Sequence, residues 1–364
     1  MSDDSVTPDR QDRPGRRPLA VVGCFTTEER KARGTGIRVF HHGGGTPWRP
    51  AGRLDGIDNP SFLRADPERN VVYAAHGDLD AVTACTVDPA TGAIAPLGRA
   101  HSAGRNGVAV ALHPSKRFLF VADYADGSVS TLPLALDGSP LDATHRLALP
   151  GPAGPHRVEQ KASHPHDTVM DPSGRFLLVP DKGLDRVFVL RVDDGTGELA
   201  VVSEARLRPG SGPRHIAFHP VLPRAYVVTE IDSTVVSLAW DEAAGVLAPL
   251  HVVPALPDSF FGHSTAAEIV VGSSGRFLYV SHRGADLVAR FSLDDGGDRP
   301  HLGGWVPSGG SEPRFMALAP DGTRLFVANE QGDSIVEFAV DTMNGSLTVT
   351  RTVATPSPSA IAFL

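Results

Sequence analysis

A phrase that returns about every 50 residues constrains this chain more than any other feature, because a repeat of that length is one supersecondary unit whose stacking sets the architecture. The phrase is an apolar run, a proline or small residue, a turn carrying a basic side chain, and a second apolar run that ends in a polar cluster. It is anchored at Pro67, Pro114, Pro172, Pro220, Ser273 and Pro320. Copies at this interval match a four-stranded propeller blade and exclude a solenoid of helix pairs. Within a copy, the run before the anchor reads as an inner strand. FLFVADY (118–124) exemplifies the second strand and DGSVSTLPL (126–134) the third. Turns rich in Asp and Gly before Ile94, Leu199, Leu247 and Leu347 lead into a fourth, edge strand.

The chain ends supply a further blade. SPSAIAFL (357–364) resembles the run before an anchor but has nothing after it, while the missing strands stand at the other end as AVVGCFTTEE (20–29) and TGIRVFHHG (35–43). Pairing the two ends closes a ring and removes two sheet edges. The expectation is an all-β, seven-bladed β-propeller of four-stranded blades, in which the C-terminal inner strand joins the N-terminal strands. It forms a single domain over 19–364, preceded by a disordered lead over 1–18.

Composition narrows the function. Lys and Arg number 34 against 42 Asp and Glu, and the net charge of −8 has the wrong sign for a chain that neutralises a phosphate backbone, so no nucleic acid is expected as partner. Only Cys24 and Cys85 are present, in no CxxC pair, which supports neither a disulfide scaffold nor a thiolate metal site and fits a reducing compartment. No apolar run approaches the ~18 residues of a membrane span, and Arg16-Arg17 is followed by too short an apolar stretch for a signal peptide. A cytoplasmic protein without a membrane partner is expected. The sequence contains no GxSxG, HExxH or P-loop motif.

Register between copies locates the site. Inner strands line the channel of a propeller, and the loops at one mouth form its concave face. Six residues before the anchors stand Ser61, Val108, His166, Arg214, Ala267 and Arg314. Ten residues after them stand Gly77, Tyr124, Lys182, Glu230, Arg283 and Glu330, at the exits of the second strands. Antiparallel pairing brings the two sets to one mouth. A structural repeat would use one residue type, whereas these differ from blade to blade. Arg214 and Arg283, with Lys182 and Arg314, suit a carboxylate or phosphate through charge-assisted hydrogen bonds. His166 and Glu230 are the types that relay protons near neutral pH.

One position before the exits stand His76, Asp123, Asp181, Thr229, His282 and Asn329, whose plain reading is brackets for loop backbone. His282, beside Arg283, also counts among the substrate-binding candidates, as does His164. His164 and His166 form an HxH pair that a strand would direct to one side. No third ligand accompanies the pair and Arg214 in register with His166 opposes a cation, so no metal and no cofactor are expected.

HPHD (164–167), GPRHIAFHP (212–220), YVVTE (226–230), AEI (267–269), SHRGAD (281–286) and EPRFMALAPDGTRLFVANE (312–330) together resemble the seven-bladed lactonase family, which contains the propeller-type 6-phosphogluconolactonases and the fungal carboxy-cis,cis-muconate cyclases. The resemblance runs from about residue 20 to the C-terminus and keeps the order of the motifs. It implies a metal-independent lactone enzyme whose active-site residues fall on His164 or His166, Arg214, Glu230 and Arg283. The family often has Asn before the exit glutamate and before the Arg-Gly pair, where this chain has Thr229 and His282. Hydrolysis of a small anionic sugar-type lactone such as 6-phosphogluconolactone is the leading expectation. Cycloisomerisation of the muconate type, and a non-catalytic propeller that binds an anionic metabolite or a protein, remain open beside it.

Overall fold

The computed structural model describes residues 18–43 and 47–364, and within them every regular element is a strand. The strands form seven four-stranded antiparallel sheets. The second blade runs from Pro60 to His101 in four successive strands, and the third to seventh blades follow in the same order. The first blade is composite. Its inner strand is Pro358–Phe363, next to Leu19–Cys24, Gly36–His41 and Arg49–Asp55. Val22 faces Ile361 and Gly23 faces Ala360, and Leu19 and Leu364 exchange backbone hydrogen bonds at 3.1 and 3.0 Å. The ring therefore closes as the repeat analysis anticipates. Of the lead over 1–18, residues 1–17 lie outside the described residues, and Pro18 accepts a hydrogen bond from the His42 amide at 3.0 Å.

Burial follows from stacking. Second strands such as Val71–His76, Phe118–Asp123 and Phe176–Asp181 are buried along their whole length, because a blade presses on each face. Outer strands alternate, as in Pro300–Pro307, since one face reaches solvent. The core lies between blades. Phe118, Phe120 and Val129 of the third blade pack with Leu177, Val179, Phe188 and Leu190 of the fourth.

The Asp-and-Gly turns also fasten neighbouring blades. Asp341 Oδ1 accepts the Met343 amide at 2.8 Å, and Gly345 then takes the left-handed conformation at φ 72° that this turn requires. The Gly345 carbonyl accepts the Tyr279 hydroxyl of the preceding blade at 2.9 Å. Thr131 reaches the Gly197 carbonyl in the same way at 2.9 Å, and Tyr226 that of Gly297 at 2.7 Å. A β-carbon on Gly345 would lie 2.5 Å from the Phe277 ring. Gly345→Ala is therefore expected to cost about 2 kcal/mol, from left-handed strain and overpacking together. Urea unfolding of the variant and the wild type measures this, and equal midpoints would refute the latch.

Candidate functional site

Every inner strand carries one residue more than its partner near its start. Pro213 faces Thr229 and His215 faces Val228, so Arg214 is bulged out of the ladder. Arg314 is bulged in the same way, as are Ser61, Val108 and Ser359. In the sixth blade the extra residue falls within Ala267–Glu268. A bulge turns a side chain out of the alternation of its strand, here into the channel. The fourth blade departs furthest. Its regular inner strand is only Val169–Met170, and the HxH pair stands before it, joined to the second strand by a Pro165–Asp181 bridge and by the His166 amide on the Pro180 carbonyl at 2.9 Å. The histidines do not lie in a regular strand, yet both meet Tyr124. The His164 ring stacks on it at 4.5 Å and the His166 ring meets it edge-on at 5.4 Å.

The second-strand exits arrive at the same mouth, because the Glu230 amide bonds the Gly212 carbonyl at 2.7 Å and the Lys182 amide the His164 carbonyl at 3.0 Å. Glu230 is the focus. Its Oε1 lies 2.7 Å from Lys182 Nζ, and its Oε2 lies 2.9 Å from Arg214 Nε and 3.2 Å from Arg283 Nη2. Blades four, five and six thus place three cations on one carboxylate. Burial alone would raise the Glu230 pKa, but Arg283, Lys182 and Arg214 hold it well below the usual carboxylate range. Lys182 is raised in spite of burial, by Glu230 and by Glu159 at 2.7 Å. His166 is pushed well below the ordinary histidine value, by burial first and Arg214 second, so its imidazole is neutral at neutral pH. Among the described residues, His166 Nδ1 and Arg283 Nε and Nη2 have no aligned hydrogen-bond partner.

Beneath this layer lies a second one. Arg214 Nη1 reaches the Ala267 carbonyl and stands 3.2 Å from His215 Nε2. An arginine only donates, so Nε2 accepts, and the His215 proton sits on Nδ1 and points to Glu268 Oε1 at 2.8 Å. Burial, then Arg214, lowers the His215 pKa to about 3, while burial raises that of Glu268 to about 8. Asp167 is also raised by burial, and it accepts the Thr168 and Ile216 amides at 2.8 and 3.1 Å.

The structure gathers His166, Lys182, Arg214, Glu230 and Arg283 at one place and sets His164 at its rim. Arg314 is adjacent, 3.7 Å from Glu330 and over the Phe25 ring at 5.2 Å. His282 is not brought to the mouth. Neighbouring strand residues face opposite ways, so Arg283 turns to the channel and His282 into the blade, fully buried with Ser264 Oγ 3.5 Å from its Nδ1. Asp181, at the matching place in the fourth blade, is a bracket and accepts the His164, Gly183 and Leu184 amides. Sequence reasoning missed Glu159, His215 and Glu268. The last two had a signal, since each directly follows a register position and is charged or titratable inside an apolar strand. Among the described residues, no three His, Cys, Asp or Glu side chains gather in a metal-holding arrangement.

The sequence model of the family described as "Lactonase, 7-bladed beta-propeller" matches residues 19–363. The chain belongs to that family. Its relatives include the 6-phosphogluconolactonase of Bacillus subtilis, 30% identical over 85% of this chain and 88% of the relative. Similar folds include the periplasmic gluconolactonase of Pseudomonas aeruginosa, with TM-score 0.86 and 28% identity over 95% of this chain and 99% of the other. A Lactobacillus plantarum protein superposes with TM-score 0.87 at 27% identity, covering 96% and 99% of the two chains.

Protonated Glu268 contributes stability that is complete below its ordinary value of 4.5 and is lost as pH rises through about 8. Glu268→Gln is therefore expected to flatten the decline in unfolding free energy between about pH 4.5 and pH 8. Asp123, raised to about 7 by burial, adds a slope common to both proteins, so their difference isolates Glu268. Parallel pH profiles in denaturant titrations would refute the assignment.

Proposed function

We propose that this family member hydrolyses a sugar-type lactone at the channel mouth, with 6-phosphogluconolactone the first substrate to test. The observation that carries this reading is the His166 imidazole, its Nδ1 without a hydrogen-bond partner, set in the field of Arg214, which shares Glu230 with Arg283. Lactone hydrolysis needs a base for water and a positive site for the oxygen that becomes charged. His166 takes a proton from water as the water oxygen bonds to the carbonyl carbon. Arg214 and Arg283 stabilise the resulting oxyanion. When the ring C–O bond breaks, His166 returns the proton to the departing alkoxide and the product is the open hydroxy acid.

Of the two proton carriers expected from the sequence, His166 suits the base and Glu230 the organiser. Both Glu230 oxygens face cations, whereas His166 Nδ1 has no hydrogen-bond partner among the described residues. The negative charge of Glu230 keeps two arginines and a lysine together in a buried place where they would otherwise repel one another. His164 and Tyr124 offer a flat, partly exposed edge for the sugar, and Arg314 extends the positive field.

The test is base consumption in a pH-stat, corrected for spontaneous ring opening, on 6-phosphogluconolactone and glucono-δ-lactone. His166→Asn is expected to lower kcat by about 10²- to 10⁴-fold and Arg283→Ala by about 10²- to 10³-fold. Should the wild type consume neither lactone above background, the catalytic reading falls and the non-catalytic binding propeller takes its place.

A further inference from the structure

The connection from the third blade to the fourth, between Ala148 and Val169, is the longest of those joining one blade to the next at the mouth. It is built rather than loose. Buried Gln160 accepts the His156 amide at 3.0 Å through its own carbonyl and donates to the Lys182 carbonyl at 2.8 Å and to Asp185 at 2.7 Å. The Gly154 amide bonds the Gly183 carbonyl at 2.8 Å. On its return the strap passes so close to Gly183 that any β-carbon there would collide with the Ala162 carbonyl.

This strap lays Glu159 on Lys182, with Oε2 2.7 Å from Nζ, although the Glu159 side chain is 43% exposed and the Lys182 side chain only 5%. Lys182 already has Glu230 at 2.7 Å on its inner side, so Glu159 occupies the side that faces the mouth. The charge around the mouth then comes close to balance, because Lys182, Arg214, Arg283 and Arg314 face Glu159, Glu230 and Glu330. Glu159 is the member of the set most open to solvent, and so the one that leaves at least cost.

We propose that Glu159 is a specificity-determining residue: a displaceable internal carboxylate that holds the outer face of Lys182 until an anionic group of the ligand, a phosphate above all, replaces it. This rests on the lactone reading for the identity of the ligand, but the ion pair and the strap stand without it. The anion subsite is thereby the outer face of Lys182, on the far side of Glu230 from the Arg214–Arg283 pair that serves the carbonyl. A ligand without a charged tail leaves Glu159 in place and gains nothing from its removal.

The experiment compares 6-phosphogluconate with gluconate by titration calorimetry on the full chain. In Glu159→Gln, the ratio of their affinities is expected to shift about tenfold toward the phosphorylated acid, the order for one competing charge removed from a partly screened pair. Lys182→Met is expected to shift it the other way, and adding Glu159→Gln to Lys182→Met should change nothing further. The ratio of kcat/KM for the phosphorylated and free lactones should follow the binding ratio in each variant. An unchanged or reversed ratio in Glu159→Gln, with its melting temperature retained, overturns the proposal. Absence of turnover on both lactones with the binding shift intact overturns the catalytic reading and leaves Glu159 as the anion gate.

Discussion

A single unpaired residue near the start of each inner strand governs what meets at the centre of this ring. In a regular ladder, Arg214 and Arg314 would alternate with their neighbours and turn to the adjacent blade. The bulge frees one side chain per blade from that alternation and turns it into the channel. Where the freed residue is a serine, it is used to tie the ring. Ser359 bonds the Pro60 carbonyl at 2.5 Å, and Ser61 the Gly107 carbonyl at 2.6 Å, each in the following blade. Arg214 does both, since it holds the Ala267 carbonyl of the next blade while its Nε faces Glu230.

Much of this was legible because a repeat converts distance along the chain into position in space. Anchoring the copies on a shared turn aligns His166, Arg214 and Arg314 near the starts of the inner strands and Lys182, Glu230 and Arg283 at the exits. Adjacency in sequence is not adjacency in space: His282 adjoins Arg283 but points the opposite way. Register is also silent where nothing repeats. Glu159 belongs to a connection that the other blades lack at that length, so no register could reach it. The fourth inner strand shows the same limit from another side: the copy is present, but the HxH stretch leaves the regular ladder, and what brings both imidazoles to one place is Tyr124.

The lower layer explains why Arg214 is held where it is. A guanidinium on a bulge would have freedom to swing, and burial works against its charge. His215 and Glu268 remove the freedom without adding a countercharge. With its proton on Nδ1 and directed to Glu268, the imidazole offers Nε2 as a neutral acceptor for Nη1. A second ionised carboxylate in this position would compete with Glu230 and with any oxyanion for the same positive field. A carboxyl kept protonated by burial avoids that competition. The buried polar network therefore separates two tasks, orientation from below by neutral groups and charge balance from the side by Glu230.

That separation bears on how one propeller serves different lactones. The groups proposed for the ester carbonyl are tied across blades, His166 to Tyr124 by a ring contact, Arg214 by its bulge and the layer beneath it, and Arg283 through Glu230, so a change there disturbs several blades together. Glu159, proposed to answer the rest of the ligand, sits on a connection held by a few hydrogen bonds to Gln160. A loop of that kind can be lengthened, shortened or recharged with little effect on the sheets, because between 150 and 164 Gln160 is its one buried side chain. Relatives named for phosphorylated and for unphosphorylated gluconolactones share this fold with the present chain, which is what a fixed carbonyl site and an adjustable rim would allow. On the proposed reading, charge at the rim, rather than the chemistry at the centre, is the quantity that divides one substrate class from another.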